Sequence, residues 1–164
     1  MSGPDAASRV LVALRVDATP ERAFAAFTDE IGRWWRSNGL FQFSSGGSGS
    51  LVFEPGPAGR LVETYEDGSL FVVGEVRVWD PPRHLVLGWR HASFDADQAT
   101  ELQVHFEPVG SQTRVTVEHW GWDAIPQRHA ARHGFPLAAF QLRFAEWWQE
   151  LLRGLADVAA GDQA

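Results

Sequence analysis

His119 is the residue of this chain best placed to do chemistry. The segment 113–119 alternates between two faces, and His119 falls on the apolar face together with Val115 and Val117. Because the pKa of an imidazole lies near neutral, an inward His119 would orient the polar head of a ligand or move a proton. The alternative is a core histidine that is hydrogen-bonded to backbone or water. No nucleophile or partner motif accompanies His119, so the sequence assigns no catalytic residue.

Glu63 and Tyr65 are a second set of residues that could bind a ligand. If Leu61, Glu63 and Tyr65 face inward, a carboxylate and the single phenol of the chain enter the interior. That pair would suit a ligand that carries a hydroxyl or an amine. If Val62 is buried instead, Glu63 is an outward charge. The pattern of apolar residues leaves both arrangements open.

Two histidines four residues apart, His129 and His133, would share one face of a helix and could ligate zinc. The metalloprotease pattern requires a glutamate directly after the first histidine, whereas this chain has Ala130 there. A zinc site also needs three or four ligands, so we expect solvated histidines and no metal site. The stretch 44–50 (SSGGSGS) misses the G-x-S-x-G motif of serine hydrolases. It is predicted to be a mobile connector, with a lid over a cavity as the alternative.

The composition excludes several kinds of chemistry. The chain has no cysteine, and all 14 of its basic residues are arginine. Without cysteine there is no disulfide, thiolate nucleophile or cysteine-ligated zinc. Without lysine there is no Walker A loop and no lysine Schiff base. A formal net charge of −7 does not favour binding to nucleic acid or to an anionic membrane.

The 164 residues fit one domain, since domains typically hold roughly 100–200 residues. The chain shows no secretory signal pattern. It also has no apolar run of the ~18–20 residues that are needed to cross a bilayer. We therefore expect a soluble, cytoplasmic protein.

Period-two alternation predicts a strand at 8–16 and six further strands in the middle of the chain. Asp67-Gly68 is the strongest hairpin signal among them, and short strands joined by such turns indicate an antiparallel sheet. The six strands are predicted near 50–54, 59–66, 69–79, 84–91, 100–108 and 112–121.

Helical patterns flank these strands on both sides. Thr19 as N-cap and Pro20 at the first position begin a helix that Asp29 weakens, so one helix or two short ones are expected. A long helix from about 136 to 159 has a broad apolar face, which only the sheet is large enough to cover. The predicted fold class is α+β, with a curved antiparallel sheet of about seven strands wrapped around a long C-terminal helix. Such an arrangement can leave a cavity between sheet and helix.

Alternation within the strands predicts which side chains face that helix. Trp89 faces inward from strand 84–91, and Phe106 does so from strand 100–108. On strand 69–79 the same parity assigns to the interior Leu70, Val72, Gly74, Val76 and Val78.

The chain has eight tryptophans and eleven phenylalanines but only one tyrosine. This excess of apolar rings suits a wide apolar interior or an apolar cavity. Trp34, Trp35, Trp147 and Trp148 would line the mouth of a pocket for an aromatic or lipidic ligand. Alternatively, they would belong to the core or to a homodimer interface, where tryptophan is enriched.

Four segments together resemble the SRPBCC superfamily of START-like, helix-grip proteins. Residues 15–24 (RVDATPERAF) resemble its opening motif, and residues 28–35 (TDEIGRWW) resemble the continuation. Residues 74–89 (GEVRVWDPPRHLVLGW) and 100–119 (TELQVHFEPVGSQTRVTVEH) resemble two later segments in the same order and at the same spacing. The resemblance is to the AHSA1-like branch, related to the C-terminal domain of the activator of Hsp90 ATPase.

The resemblance implies a single START-like domain over residues 1–164, with a core of about 9–158. The superfamily holds lipid carriers, hormone receptors, aromatase/cyclases and co-chaperones, so one fold leaves several functions open. The leading expectation is a binding module for a small hydrophobic molecule, rather than an enzyme, without cofactor or metal. The alternatives are a chaperone-associated protein of the Hsp90-activator kind, or a cyclase or hydrolase that uses His119 and Glu63. The predicted ligand-binding residues are Trp89, His119, Val117, Phe106, Glu63, Tyr65, Phe144, Trp148 and Trp35.

Overall fold

Seven antiparallel strands form one curled sheet around a long C-terminal helix in the computed structural model, which describes residues 9–36, 43 and 49–161. The order of the strands in the sheet is β1-β7-β6-β5-β4-β3-β2. The strands are β1 (Arg9–Val16), β2 (Ser50–Phe53), β3 (Arg60–Thr64), β4 (Leu70–Asp80), β5 (His84–Trp89), β6 (Thr100–Val109) and β7 (Gln112–Trp120). The helices are α1 (Pro20–Thr28), α2 (Ile31–Trp34) and α3 (Leu137–Gly161), and two short 3-10 turns lie between β7 and α3, at Trp122–Ala124 and Ala130–Arg132. The predicted α+β, helix-grip fold is confirmed.

Two short helices follow the first strand, as one of the two predicted alternatives required. The Thr19 hydroxyl accepts a hydrogen bond from the N–H of Arg22 at 3.1 Å, and Pro20 occupies the first turn of α1. Asp29 caps the C-terminus of α1, which explains why the apolar pattern weakens there. The predicted connector at 44–50 lies outside the described residues except for Gly49 and Ser50, and Ser50 opens β2.

The inward faces predicted for three central strands are confirmed. Trp89 on β5, Phe106 on β6 and both Val117 and His119 on β7 are fully or almost fully buried. The register agrees with this, because Val104 of β6 pairs with Val117 of β7, and directly paired residues of an antiparallel ladder lie on the same face.

The face predicted for β4 is wrong at three of its five residues. Leu70 and Val78 are 50% and 37% exposed, and Val72 is half-buried, whereas Val73 is completely buried. Two irregularities in register cause the difference. Opposite Leu61 and Val62 of β3, strand β4 contributes one extra residue. In its pairing with β5, strand β4 has a second extra residue, between Val76 and Val78. Each bulge reverses the alternation along the strand. The remaining two predicted residues, Gly74 and Val76, are buried.

Arg22 joins α1 to the last turns of α3. Its guanidinium donates to the carbonyl oxygens of Val158 and Ala159 at 3.2 and 3.3 Å, and it forms an ion pair with Glu30. A cation at the C-terminal end of a helix also interacts favourably with the helix dipole. This contact holds the short helices against the end of the long one. None of the helices in the described ranges is long and apolar enough to cross a membrane.

The backbones of β4 and β5 leave no room for a side chain between Gly74 and Gly88. A Cβ atom at Gly74 would lie 1.8 Å from the carbonyl oxygen of Gly88 and 2.4 Å from its carbonyl carbon. Because the obstacle is backbone, it cannot swing aside. Gly154 in α3 differs, since a Cβ there would meet the Cβ of Trp34 at 3.4 Å, an ordinary contact.

Replacing Gly74 with alanine should therefore destabilise the fold. We expect Gly74→Ala to lower the free energy of unfolding by about 2–4 kcal/mol, because the two strands must separate. The matched variant Gly154→Ala should be neutral or raise it by up to about 1 kcal/mol, because alanine is the better helix former. Urea unfolding of both variants measures this difference, and a Gly74→Ala protein as stable as wild type would contradict the close approach.

Candidate functional site

His119 lies in the interior, completely buried, at the end of β7. Its Nε2 is 2.7 Å from the hydroxyl oxygen of Thr100, and that hydroxyl donates its own hydrogen to the carbonyl oxygen of Trp89 at 2.8 Å. Because the hydroxyl hydrogen is committed to Trp89, the oxygen of Thr100 must accept from His119. The imidazole is thus the tautomer with a proton on Nε2 and a lone pair on Nδ1.

The lone pair of His119 Nδ1 is buried and has no hydrogen-bond donor in the described part of the chain. The ring is surrounded by other aromatic rings, with centroids 5.4 Å from Trp89, 5.3 Å from Trp122 and 5.0 Å from Phe144. Burial lowers the pKa of His119 well below its usual value, and the nearby His91 lowers it further. At neutral pH the residue is an uncharged base that can accept a hydrogen bond or a proton.

Three tryptophans form a triangle, which we call the indole cluster: Trp35, Trp89 and Trp148. Their ring centroids are 5.6 Å (Trp35 to Trp89), 5.8 Å (Trp35 to Trp148) and 6.1 Å (Trp89 to Trp148) apart. Trp89 is the member that contacts His119. The three indole N–H groups are buried, and none finds an acceptor among the residues described. Two neighbouring tryptophans, in contrast, have acceptors for their indole N–H groups. Trp34 donates to the carbonyl of Ala26 and Trp147 donates to the carbonyl of Arg36, both at 2.9 Å.

The four tryptophans that were predicted to lie at a pocket mouth, in the core or at a dimer interface belong to the core. Trp148 is completely buried, and the most exposed of the four, Trp35, is 8% exposed. Phe43 extends the indole cluster, with its ring 5.6 Å from Trp35 and 5.1 Å from Trp89. The arrangement therefore combines a wide aromatic surface with a few buried polar atoms that have no partner among the described residues.

Glu63 faces inward, which decides between the two arrangements that the sequence left open. Its carboxylate is almost completely buried; it accepts from the hydroxyl of Tyr65 at 2.5 Å and from the N–H of Gly49 at 3.2 Å. Val62 is also buried, because the register of β3 is irregular at this point. Three strands separate β3 from β7 in the sheet. Glu63 is therefore a second buried polar group, distinct from His119, whereas its partner Tyr65 is half-buried.

Ring contacts connect most of the predicted site residues. Phe144 contacts His119, Trp148 stacks with Phe27 at 6.4 Å, and Phe27 in turn contacts Phe106 at 5.8 Å. Val117 is buried on the same face of β7 as His119. The predicted residues of the interior thus adjoin one another, with the Glu63–Tyr65 pair as the exception.

The predicted ligand-binding residues did not include Thr100 or Phe43. The sequence left Trp122 open between a cap over the cavity and a surface patch. Thr100 has the same parity on β6 as Leu102, and this signal could have placed it inward. Trp122 lies in a 3-10 turn after Gly121, whose φ of 104° reverses the chain, and no periodicity predicts that its ring is completely buried.

His129 and His133 do not form the helical pair that zinc would require. The 3-10 turn Ala130–Arg132 separates them, and both ring nitrogens of His129 bind backbone, Nδ1 accepting from the N–H of Ala131 at 3.1 Å and Nε2 donating to the carbonyl of Ser93 at 3.0 Å. Within the described residues, no three histidine or acidic side chains come close enough to hold a metal ion.

The neutral, buried His119 makes the stability of the protein depend on pH. The unfolded chain takes up a proton below the usual pKa of about 6.5, whereas the folded protein does not until pH reaches the lower pKa of His119. The free energy of unfolding should therefore fall as pH drops below about 6.5, with a limiting slope of about 1.4 kcal/mol per pH unit from this residue.

The measurement is urea unfolding of wild type and His119→Gln between about pH 5 and pH 8. Burial, followed by the nearby His84, also lowers the pKa of His105, which adds to the slope in both proteins. The glutamine amide keeps a donor for Thr100 but does not titrate, so the variant should have the shallower slope. Equal slopes would contradict the assignment of this pH dependence to His119.

Comparison with known proteins identifies the family. The family model described as "Activator of Hsp90 ATPase homolog 1-like protein" matches residues 17–160. A search of curated proteins finds no significant match.

Solved structures resemble this chain over nearly its whole length. An anthrahydroquino-γ-pyrone synthase, Txn09, determined as a complex, is 31% identical over 92% of this chain and 96% of its own, with a TM-score of 0.56. An Hsp90 activator from Plasmodium falciparum is 20% identical over 94% of this chain and 96% of its own, with a TM-score of 0.63. A protein from Rhodobacter sphaeroides is 21% identical and covers 99% of both chains, with a TM-score of 0.64. The last two show the shared fold alone.

The match of the family model to most of the chain agrees with the helix-grip architecture and with the motifs in the sequence. This chain belongs to the family of activator of Hsp90 ATPase homolog 1-like proteins, in the SRPBCC group.

Proposed function

We propose that this protein binds a small, flat, hydrophobic molecule that carries oxygen atoms, in the interior between the sheet and α3. The observation that carries the proposal is the indole cluster, in which three buried N–H groups lack an acceptor in the part of the chain that is described. Carbonyl or hydroxyl oxygens of a ligand would accept from these groups. A hydroxyl of the same ligand would donate to Nδ1 of His119.

The energetics of buried donors support this choice of ligand. A buried N–H without a partner costs about 1–3 kcal/mol, and most such groups in native proteins are paired. Aromatic rings attract one another at centroid distances of about 4.5–7 Å, so a flat ligand would extend the existing ring contacts. Binding would satisfy the donors and bury apolar surface in one event.

The remaining predicted site residues are consistent with such a ligand. Phe106, Val117 and Phe144 would provide apolar walls, since all three are buried. Phe144 contacts His119, and Phe106 reaches the indole cluster through Phe27, which stacks on Trp148. The Glu63–Tyr65 pair would offer a second polar contact to a larger ligand. The relative Txn09 is named as a synthase of an anthrahydroquino-γ-pyrone, and that name supports a polycyclic, oxygenated ligand here.

The first test compares 1,8-dihydroxyanthraquinone with anthracene, which has the same three fused rings without oxygen. We expect only the oxygenated compound to bind tightly enough to be measured by quenching of tryptophan fluorescence. Trp89→Phe keeps an aromatic ring but removes one N–H, and it should weaken binding about three- to tenfold, the value of one hydrogen bond.

Trp34→Phe is the matched control, because the N–H of Trp34 is already bonded to Ala26 within the protein. This variant should bind the anthraquinone as wild type does. Equal affinity of wild type for the two compounds, or equal losses in the two variants, would contradict a site built on the N–H groups of the indole cluster.

Proton transfer by His119 is a second candidate function. The observation that favours it is the buried, unprotonated Nδ1, which a bound ligand would approach within an apolar environment. A synthase among the relatives supports it as well. If His119 acts as a base, His119→Gln should still bind the anthraquinone but should fail to convert the substrate of that synthase. Conversion at the wild-type rate would remove the catalytic role and leave the binding proposal intact.

The Hsp90 activator among the structural relatives points to the third expectation, a chaperone-associated role. It is tested by adding the purified protein to an Hsp90 and measuring the rate of ATP hydrolysis. Stimulation of the ATPase together with no binding of the anthraquinone would replace the ligand-binding proposal.

A further inference from the structure

A second concave site lies on the outside of the molecule, between α1 and the turn that joins β4 to β5. It is a groove of about 340 Å³, a size at the lower end of the range for small-molecule sites. One face of α1 forms one wall, and the end of β4 with the following prolines forms the other. The lining residues are Glu21, Phe24, Ala25, Thr28, Asp29, Trp79, Pro81 and Pro82.

The floor and walls of the groove are apolar. Phe24 and Trp79 meet edge to face with centroids 5.2 Å apart, and Phe24 is almost completely buried. Pro81 and Pro82 have no backbone N–H, so that wall offers no donor from these two residues. A hydrocarbon or aromatic group of a ligand would pack between the rings and the prolines.

The polar side chains of the groove are nearly all hydrogen-bond acceptors. Glu21 and Asp29 contribute carboxylates, which accept only. The hydroxyl of Thr28 gives its hydrogen to the carbonyl of Phe24 at 2.9 Å, so its free capacity is also that of an acceptor. The indole N–H of Trp79 is the exception. A ligand that fits this set must donate hydrogen bonds, and it would best carry positive charge.

The two carboxylates of the groove are not neutralised within the described ranges of the chain. The arginines that are nearest in sequence to these carboxylates have another partner, since Arg22 and Arg33 both pair with Glu30. Arg83, next to Pro82 of the groove, pairs with Asp80 at 3.5 Å. No ion pair joins Glu21 or Asp29 to a described residue. A net charge of −7 would also attract a cation to this surface.

We propose that this groove binds a small organic ammonium ion with an aromatic or branched apolar body. The ammonium group lies at the rim beside Glu21 or Asp29, either of which can accept its hydrogen bonds, and the apolar body lies on Phe24 and Trp79. An ammonium ion near the face of an aromatic ring gains a further electrostatic attraction. The side chain of Phe24 separates this site from the interior site proposed above, since its ring lines the groove and contacts Phe106 at 5.1 Å.

The test uses 2-phenylethylammonium and its neutral analogue 2-phenylethanol, which share one carbon skeleton. Isothermal titration calorimetry at low ionic strength should give at least tenfold tighter binding of the ammonium ion. Raising the salt concentration should weaken that binding, because the carboxylates are exposed and their attraction is screened. The indole N–H signal of Trp79 in a nitrogen–proton NMR spectrum, assigned with Trp79→Phe, should shift on titration.

Glu21→Gln/Asp29→Asn keeps the shape of the groove and removes both charges. We expect this double variant to lose at least tenfold in affinity for the ammonium ion and to bind the alcohol as wild type does. The matched control is Glu66→Gln, an exposed carboxylate in the turn at the opposite end of β4, which should leave both affinities unchanged.

Three results would overturn the proposal: equal binding of the two compounds, a double variant that binds like wild type, or a loss in Glu66→Gln as large as in the double variant. A negative result for the groove would not count against the interior site, because binding of 1,8-dihydroxyanthraquinone is measured separately in the same double variant.

Discussion

Aromatic packing between α3 and the inner face of the sheet is the interaction on which the other features of this molecule depend. Phe144 and Trp148 of α3 contact rings that the sheet and the short helices provide, including His119, Trp89 and Trp35. Large rings fill the interior with few side chains, and their apolar burial is the dominant favourable term in folding. A tryptophan also brings an N–H group into that interior, which aliphatic residues would not.

The polar atoms of the interior divide into two groups. Some are satisfied within the protein, as in the chain from His119 through the hydroxyl of Thr100 to the carbonyl of Trp89. Others have no partner among the described residues, including the three N–H groups of the indole cluster and Nδ1 of His119. A low-dielectric environment makes an unpaired polar atom costly, and this cost is the physical basis of the proposed ligand binding.

Local sequence patterns predicted the fold well, because periodicity follows directly from which face of an element is buried. They identified His119 as inward from the parity of Val115 and Val117 alone. They were wrong for Leu70 and Val78 because a bulge depends on pairing with another strand, which the residues of one strand do not encode. They also could not decide whether Glu63 faces inward or outward, because Leu61, Val62 and Glu63 are all buried where the register of β3 is irregular. The N–H groups of the indole cluster were beyond prediction, because a hydrogen-bond partner is a property of three-dimensional contacts.

The close grouping of indole rings has a consequence for how this protein is observed. Trp35, Trp89 and Trp148 are held at fixed mutual angles of 52–76° inside an asymmetric environment. Their near-ultraviolet circular dichroism therefore reports the packing of α3 on the sheet, whereas the far-ultraviolet signal is dominated by helix and strand content. A form that kept its secondary structure but loosened its core would lose the first signal and keep the second. The molecule thus contains its own optical probe for separating a collapsed state from the native one.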